Sequence, residues 1–329
     1  KGNYSLNDKV FNAHQKCANG NDKMVYYVAS RFNLPKNFKD MVYLSQVTQN
    51  ECIADATEHW RRNKGRCNGS MYWQLNDCWG VCSWSSIDYY GNYKALQYGA
   101  RHFNAPVSVS IENTEEYIKL FVLNDLKEKQ DVTVTYDIFD FVSGTKQSDK
   151  KDVSIDAVKN ELVFELDVKS LAKAYDLKRT GVAVKLFKNG ELLQQKTVLF
   201  DKEKKLDLPK AKLKTRIEIK EDRLDITVKS DAYARLVKLE SADSVLPFSD
   251  NFFDILPNES KKVTIYKDSS MSLRKLAESI TVYSLSDIKF SKDKIDTLLK
   301  QAKVFISPVN ISNALYHGKI AKDVELCDD

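Results

Sequence analysis

The chain has 329 residues, 43% of them hydrophobic and 29% charged, with a formal net charge of +5 from 51 basic and 46 acidic side chains. This length implies two or three domains, and this composition, with no apolar run long enough to cross a bilayer, excludes a disordered chain or a membrane protein. Basic residues alternate with Asp and Glu nearly throughout, so nucleic acid is not an expected partner; even the densest stretch, Lys202 to Arg216, contains Glu203 and Asp207 and reads as a solvated connector.

In chain order, the first 40 residues read mostly as loop and short helix. Pro35 then precedes a helix over Phe38 to Arg62, in which Met41, Leu44, Val47, Ile53 and Trp60 recur at helical spacing. Gly69 leads into Met71 to Leu75, a short run expected as a buried strand whose alternation sets Trp73 and Leu75 on one face and Tyr72 and Gln74 on the other. Asn76 to Gly91 is a loop rich in Trp, Ser, Asp and Tyr, and Tyr93 to Phe103 is a second helix. Helix, strand, loop and helix make the end of an α/β series.

At Pro106 the period changes. Val107 to Ile111, Tyr117 to Leu123, Asp131 to Ile138, Glu161 to Val168 and Gly181 to Phe200 alternate as strands, and Asn189-Gly190 inside the last is a hairpin signal. Residues 106–207 are therefore expected to form an immunoglobulin-like antiparallel β-sandwich. Residues 210–288, with strands at Thr215 to Lys220, Arg223 to Val228, Ala234 to Leu239, Lys262 to Tyr266 and Ile280 to Tyr283, are expected to form another. Residues 289–329 follow as a C-terminal extension. A complete (β/α)₈ barrel takes about 250 residues, so residues 1–105 hold one or two of its units at most.

The loop and its strand carry the functional signal. A sugar presents a C–H face and hydroxyl edges, so its sites pair flat aromatic rings with side chains that hydrogen-bond several ways. Trp73, followed by Gln74, Asn76 and Asp77, fits the ring beneath a monosaccharide, against the alternative of a plain core tryptophan. Trp79 and Trp84 are further candidates for sugar contact. Asp77 and Asp88 could flank a scissile bond, but short carboxylates in turns commonly accept backbone N–H groups, and that reading is preferred. Glu51 and Glu58 stand roughly 10 Å apart along one helix and read as structural, paired with Arg61, Arg62 or solvent. No His, Cys and carboxylate spacing suits a metal and no Gly-rich loop suits a phosphate, so no cofactor is expected.

The six cysteines form no framework; Cys78 and Cys82 are open between a local disulfide and two free buried thiols. Asn-x-Ser sequons at Asn3, Asn68, Asn258 and Asn310 permit a glycoprotein, although Asn68 is expected at the start of a buried strand where a glycan does not fit. Lys1 to Asn7 has no signal-like apolar run. The compartment therefore stays open between lysosomal or secreted for a eukaryotic source and periplasmic or cytoplasmic for a bacterial one.

Several segments in collinear order carry a resemblance. Tyr43-Leu-Ser-Gln46, Glu58-His-Trp-Arg-Arg62, Met71-Tyr-Trp-Gln-Leu-Asn-Asp77, Ser83-Trp-Ser-Ser-Ile-Asp-Tyr-Tyr-Gly91, Lys94-Ala-Leu96 and Phe103-Asn-Ala-Pro-Val107 resemble the last part of the catalytic barrel of β-mannosidases in glycoside hydrolase family 2. Ser230-Asp-Ala-Tyr-Ala-Arg235 and Phe248-Ser-Asp-Asn-Phe-Phe-Asp-Ile-Leu-Pro257 are similar to that family's terminal sandwich. The likeness covers about residues 10 to 288. It implies residues 1–105 as the C-terminal part of a (β/α)₈ TIM barrel, followed by the two sandwiches.

The resemblance also implies retaining exo-hydrolysis of terminal β-D-mannose by two barrel glutamates, one in an Asn-Glu pair and one in a Ser-Glu-Phe/Tyr-Gly segment. Those segments belong to the fourth and seventh barrel strands, upstream of the part this chain resembles, so no catalytic residue is assigned here and the chain alone is expected to be inactive. What carries over is Trp73, matching the platform under the sugar, with Asn76 and Asp77 shaping the pocket rim. Two departures stand out: Gly80 replaces a usual proline, and Cys82 replaces a usual apolar residue. The expected partners are a β-mannoside or mannose-containing oligosaccharide and the upstream part of the enzyme, on the same or a separate polypeptide. The alternative is a non-catalytic carbohydrate-binding or structural protein of the same architecture.

Overall fold

The computed structural model describes residues 9–242, 244–267 and 271–291. Most of the extension, with Cys327 and the sequon at Asn310, lies outside the described residues, as does Asn3. Contacts divide the chain into a unit over Lys1–Lys289 and a second over Phe290–Asp329, and the first is described here.

Before residue 106 the regular elements are helices, with a long irregular segment over 63–94. Helices α1 (Lys9–Ala13) and α2 (Gly20–Arg31) precede the long α3 (Phe38–Arg62), and α4 (Ala95–Phe103) closes the region. Asn37 caps α3 by accepting the N–H of Asp40 at 2.9 Å. One face of α3 buries Met41, Tyr43, Leu44, Val47 and Thr48, the spacing of an apolar helical stripe. Leu96, Ala100 and Phe103 of α4 pack against Ile53, Ala54 and Tyr72. The two helices approach closely at Gly99, where an added Cβ would fall 1.7 Å from Asn50 Oδ1 and would have to displace that amide.

The segment expected as a buried strand departs from expectation. Residues 71–75 alternate in exposure as predicted, yet the chain bends at Trp73 and Leu75 and joins no ladder; Asn76 alone makes a parallel bridge, to Ile87. Met71 is 99% exposed, and Trp73 and Leu75 are exposed with it, whereas Tyr72 turns inward onto Phe103 at 6.4 Å, edge to face. A strand needs at least one hydrogen-bonded neighbour and a second layer on its face. Asn68 is likewise exposed, in a loop where its Oδ1 accepts the N–H of Gly65 at 2.9 Å, so the expected steric bar to a glycan there does not exist.

The first sandwich pairs a sheet in the order β1 (Val107–Asn113), β2 (Tyr117–Asn124), β5 (Lys159–Asp167) with a sheet in the order β4 (Gly144–Ile155), β3 (Gln130–Asp140), β6 (Thr180–Lys188), β7 (Glu191–Leu199), all antiparallel. Helix α5 (Val168–Ala174) follows β5. Inward-facing Ile118, Leu120, Val122, Val134, Ile138, Val182 and Val184 fill the space between the sheets. Asn189 and Gly190 have φ values of 52° and 82°, the paired left-handed conformation that a two-residue hairpin turn demands.

The second sandwich sets the order β8 (Leu213–Ile219), β9 (Arg223–Ser230), β12 (Ser260–Tyr266) against the order β11 (Phe253–Ile255), β10 (Ala234–Ser241), β13 (Ile280–Tyr283), with α6 (Leu273–Ser279) before the last strand. Tyr98 of α4 belongs to its core, and Phe139, Phe141, Tyr233, Leu206 and Leu256 pack where the two sandwiches meet.

A buried network of charge joins all three parts. Arg235 on β10 holds Asp254 at 2.7 Å, Glu51 of α3 at 2.6 Å and Glu203 at 3.1 Å. Arg31 of α2 also binds Glu51 and Glu203. Burial alone drives the Glu203 and Asp254 carboxyls upward, but the adjacent guanidinium groups outweigh it and hold both below their ordinary values. The connector that reads as solvated therefore carries a buried anchor in Glu203, and Lys204 Nζ donates to Ala29 O at 2.9 Å. Beside Arg235, Leu236 has a φ of 57°, a conformation costly for a branched side chain. Its N–H donates to Asp254 Oδ1 at 2.8 Å and its carbonyl accepts the buried Tyr43 hydroxyl.

Candidate functional site

The tryptophan loop closes on itself through a buried carboxylate. Asp77 accepts the hydroxyls of Ser83 at 2.6 Å and of Ser85, and the Gln74 amide at 3.2 Å, while Lys94 Nζ lies 3.7 Å away and donates to Ser85 Oγ at 2.6 Å. Burial raises the Asp77 carboxyl, but the serine hydroxyls, Lys94 and Gln74 together outweigh it and hold it below the usual range. An ionised carboxylate with both oxygens engaged is a brace. Asp88 is engaged as well, accepting Tyr90 N, Asn92 N and Asn92 Nδ2, each at 2.9 Å. That is the turn geometry in which short carboxylates recur.

The two glutamates of α3 are also occupied. Glu51 takes Arg31 and Arg235, and Glu58 takes Lys196 and, at 3.3 Å, the Ser110 hydroxyl. Both are structural, but their partners are not Arg61 and Arg62. Those arginines instead clamp the end of α3 to the first sandwich: Arg61 reaches Ala105 O and Asp125 at 2.8 Å each, and Arg62 reaches Ser110 Oγ and Ile111 O. Among the described residues no group of three or more His, Cys, Asp and Glu could hold a metal ion.

With its carboxylates engaged, the loop offers rings and amides. Trp73 is 72% exposed, and a cis peptide joins it to Gln74. The strand arm is fixed to the far side of the loop by Ser86 N to Gln74 O at 2.9 Å and Ile87 N to Leu75 O at 2.8 Å. Asn76, exposed at the end of that arm, stands beside the buried Asp77. Trp84 is exposed, and its carbonyl accepts Gln49 Nε2 from α3 at 2.8 Å. Trp79 is half-exposed, with the Lys16 ammonium 4.2 Å from its ring centre and the His14 ring 5.1 Å away. Cys78 and Cys82 are both unpaired; Cys78 is exposed, and burial pushes the Cys82 thiol up. His14 and Lys16 arrive from some sixty residues earlier, and no spacing in the sequence announces them.

Two family models match the sandwiches, one described as a mannosidase Ig/CBM-like domain over residues 116–205 and one as an Ig-fold domain of mannosidases over residues 208–288. The β-mannosidase of Bos taurus is 31% identical over 83% of this chain and 33% of its own length, and that of Mus musculus 28% identical over 86% and 34%. The crystal structure of the β-D-mannosidase from Dictyoglomus thermophilum superposes with a TM-score of 0.76 at 27% identity, over 84% of this chain and 33% of that one. This chain is homologous to the β-mannosidases of glycoside hydrolase family 2. The match to the Dictyoglomus β-mannosidase includes the helical region before residue 106, which fits a partial barrel followed by immunoglobulin-like sandwiches. The exo-chitosanase of Amycolatopsis orientalis, with a TM-score of 0.64 at 16% identity, shares the fold. The chain spans about a third of the length of the curated β-mannosidases it matches.

Proposed function

We propose that this chain forms one wall of the sugar pocket of a retaining exo-β-mannosidase that hydrolyses terminal non-reducing β-D-mannose. Trp73 is the platform beneath that sugar. Asn76 and Trp84 line the rim, and Asp77 shapes it from behind without touching substrate. The observation that carries this reading is the place of Trp73, on a short arm pinned to the loop by Ser86 and Ile87 and followed by the exposed Asn76 and the buried Asp77, in a chain homologous to β-mannosidases.

The acid/base and nucleophile glutamates belong to the upstream part of the enzyme, on the same or a separate polypeptide. That part also supplies the strands that flank residues 71–75 and cover Met71 and Leu75. Homology to β-mannosidases supports this division, as does the engagement of Glu51, Glu58, Asp77 and Asp88 in ion pairs and turns. The isolated chain then binds sugar weakly and hydrolyses nothing.

The test is Trp73→Ala in the protein that joins this chain to its upstream residues. On an aryl β-mannoside, kcat/KM falls at least tenfold, which is about 1.4 kcal/mol of transition-state stabilisation. Unchanged kinetics in a folded variant refute the platform. Turnover by the purified chain alone refutes the division of labour.

A further inference from the structure

The second sandwich opens on a row of cations. From Lys210 the run Lys-Ala-Lys-Leu-Lys-Thr-Arg alternates: Lys210, Lys212, Lys214 and Arg216 are exposed, while Ala211, Leu213 and then Ile217 pack into the core. Strand β8 lies at the edge of its sheet, and Lys214 stands directly opposite Lys229 of β9, with both side chains on the outer face. Lys214 and Arg216 are about 7 Å apart along the strand, and Lys214 and Lys229 about 5 Å apart across it.

Like charges directly opposite one another destabilise a sheet, and no carboxylate is left to relieve this pair. Glu218 is shared by Arg216 and Lys220, and Asp225 by Arg223 and Lys262, so the carboxylates that these strands point outward are spent. Asp231 accepts the backbone N–H of Lys212 at 2.8 Å. Among the described residues Lys210, Lys212, Lys214 and Lys229 have no ion pair. In the sequence Glu203 dilutes the basic stretch, but the fold takes Glu203 into the buried network with Arg31 and Arg235. The surface is therefore more positive here than the interleaved sequence suggests.

We propose that Lys210, Lys212, Lys214, Arg216 and Lys229 form a docking surface for a linear acidic polysaccharide. The inference does not depend on the reading of Trp73. Ammonium and guanidinium groups donate charge-assisted hydrogen bonds to carboxylates and sulfates, and a polysaccharide carries such groups at the intervals of its rings. A chain can run along the edge strand. A membrane surface would have to meet the whole flat face, including Glu218 and Asp225. A nucleic-acid duplex carries a charge about every 1.7 Å, far denser than this row answers. No aromatic ring stands among these cations to stack the bases of a single strand.

The test measures binding of heparin, with neutral dextran as the control, to the protein joined to its upstream residues, at about 50 mM salt. Wild type binds heparin and not dextran. In the double variant Lys214→Gln/Lys229→Gln the Kd for heparin rises at least fivefold, while Lys150→Gln/Lys151→Gln, which takes the same charge from exposed positions on β4, stays within twofold of wild type. The urea midpoint of the first variant equals or exceeds that of wild type, because the opposed pair is relieved. No binding of heparin by wild type, or equal losses in the two variants, overturns the docking surface. A lowered urea midpoint in Lys214→Gln/Lys229→Gln gives the pair a structural role and overturns it as well. Tighter binding to a DNA duplex or to phosphatidylserine vesicles than to heparin overturns the assignment to a polysaccharide.

Discussion

At the junction of α3 with the two sandwiches, Arg235, Arg31, Glu51, Glu203 and Asp254 are buried against one another. At the tryptophan loop, Trp73, Trp79, Trp84 and Tyr90 stand open over a base braced by one buried aspartate. Both are dense in side chains that carry chemistry. The difference lies in what remains unsatisfied. Every charge at the junction is answered from within the chain, so the junction has nothing left to offer a ligand. The loop has spent its carboxylates on its own shape and leaves rings and amide edges uncovered. A cluster of buried carboxylates with shifted titration commonly marks a reaction centre, and here it marks the joint that holds the scaffold.

The sharpest way to break that contrast is Arg235→Ala. It strands Asp254 and one oxygen of Glu51 without a cationic partner in a buried place, and loss of one partner from such a pair costs about 3–5 kcal/mol. The expected outcome is a loss of that size in urea unfolding of the chain. A loss under about 1 kcal/mol would mean the network behaves as an exposed one, and the distinction between joint and loop would fail.

A second joint makes the same point through pH. Asp250 pairs with His102 of α4 at 3.0 Å and with Lys261 at 3.1 Å. Burial raises its carboxyl, but His102 and Lys261 outweigh that and pull it down to about 2. A carboxyl lowered on folding stabilises fully above its unfolded value near 4, and that contribution is lost as pH falls through the folded value. At about 1.4 kcal/mol per unit the amount is about 2 kcal/mol. Unfolding midpoints measured from pH 5 down to pH 2 should decline accordingly, and Asp250→Asn should be less stable at pH 5 and decline less steeply. Parallel declines in the two proteins would show that the pair contributes nothing.

Trp73→Ala is the reverse experiment, with an effect of about 1.4 kcal/mol on kcat/KM and a change within about 0.5 kcal/mol in stability, as for an exposed side chain outside any packed core. Equal losses in both would place Trp73 with the joint.

The sequence makes one half of this contrast legible and hides the other. Asn189-Gly190 marks the β6–β7 hairpin because only a few residues accept its turn, and α3 shows itself by Asn37 and the stripe from Met41 to Val47. Strand β4 leaves no trace: Thr145 to Asp152 are eight consecutive exposed residues on an edge strand, with no apolar alternation to read. The loop stands out by composition, since tryptophans among serines and aspartates have no ordinary structural explanation. The junction does not, because Arg31, Glu51, Glu203 and Arg235 are scattered over two hundred residues and each alone looks like a surface charge. In the same way residues 71–75 show the alternation of a strand, but alternation states which side chains share a face and not whether anything covers it.

The smallest effect tests whether the two regions communicate. Tyr43 on α3 donates to the carbonyl of Leu236 next to Arg235, and three residues further along α3 Gln46 accepts the N–H of Ala95 at 3.3 Å, with Gln49 reaching Trp84 O at 2.8 Å. One helix thus touches the joint with one turn and the loop with the next. Tyr43→Phe removes a buried hydroxyl and leaves the Leu236 carbonyl without its donor, at a cost of about 1 kcal/mol. If the helix is a rigid beam, unfolding registers that cost and kcat/KM of the complete protein on an aryl β-mannoside stays within twofold of wild type. If instead kcat/KM drops fivefold or more with stability intact, the bond at Leu236 sets the position of the loop. The joint would then be part of how the pocket is aimed, and scaffold and site would act as one unit.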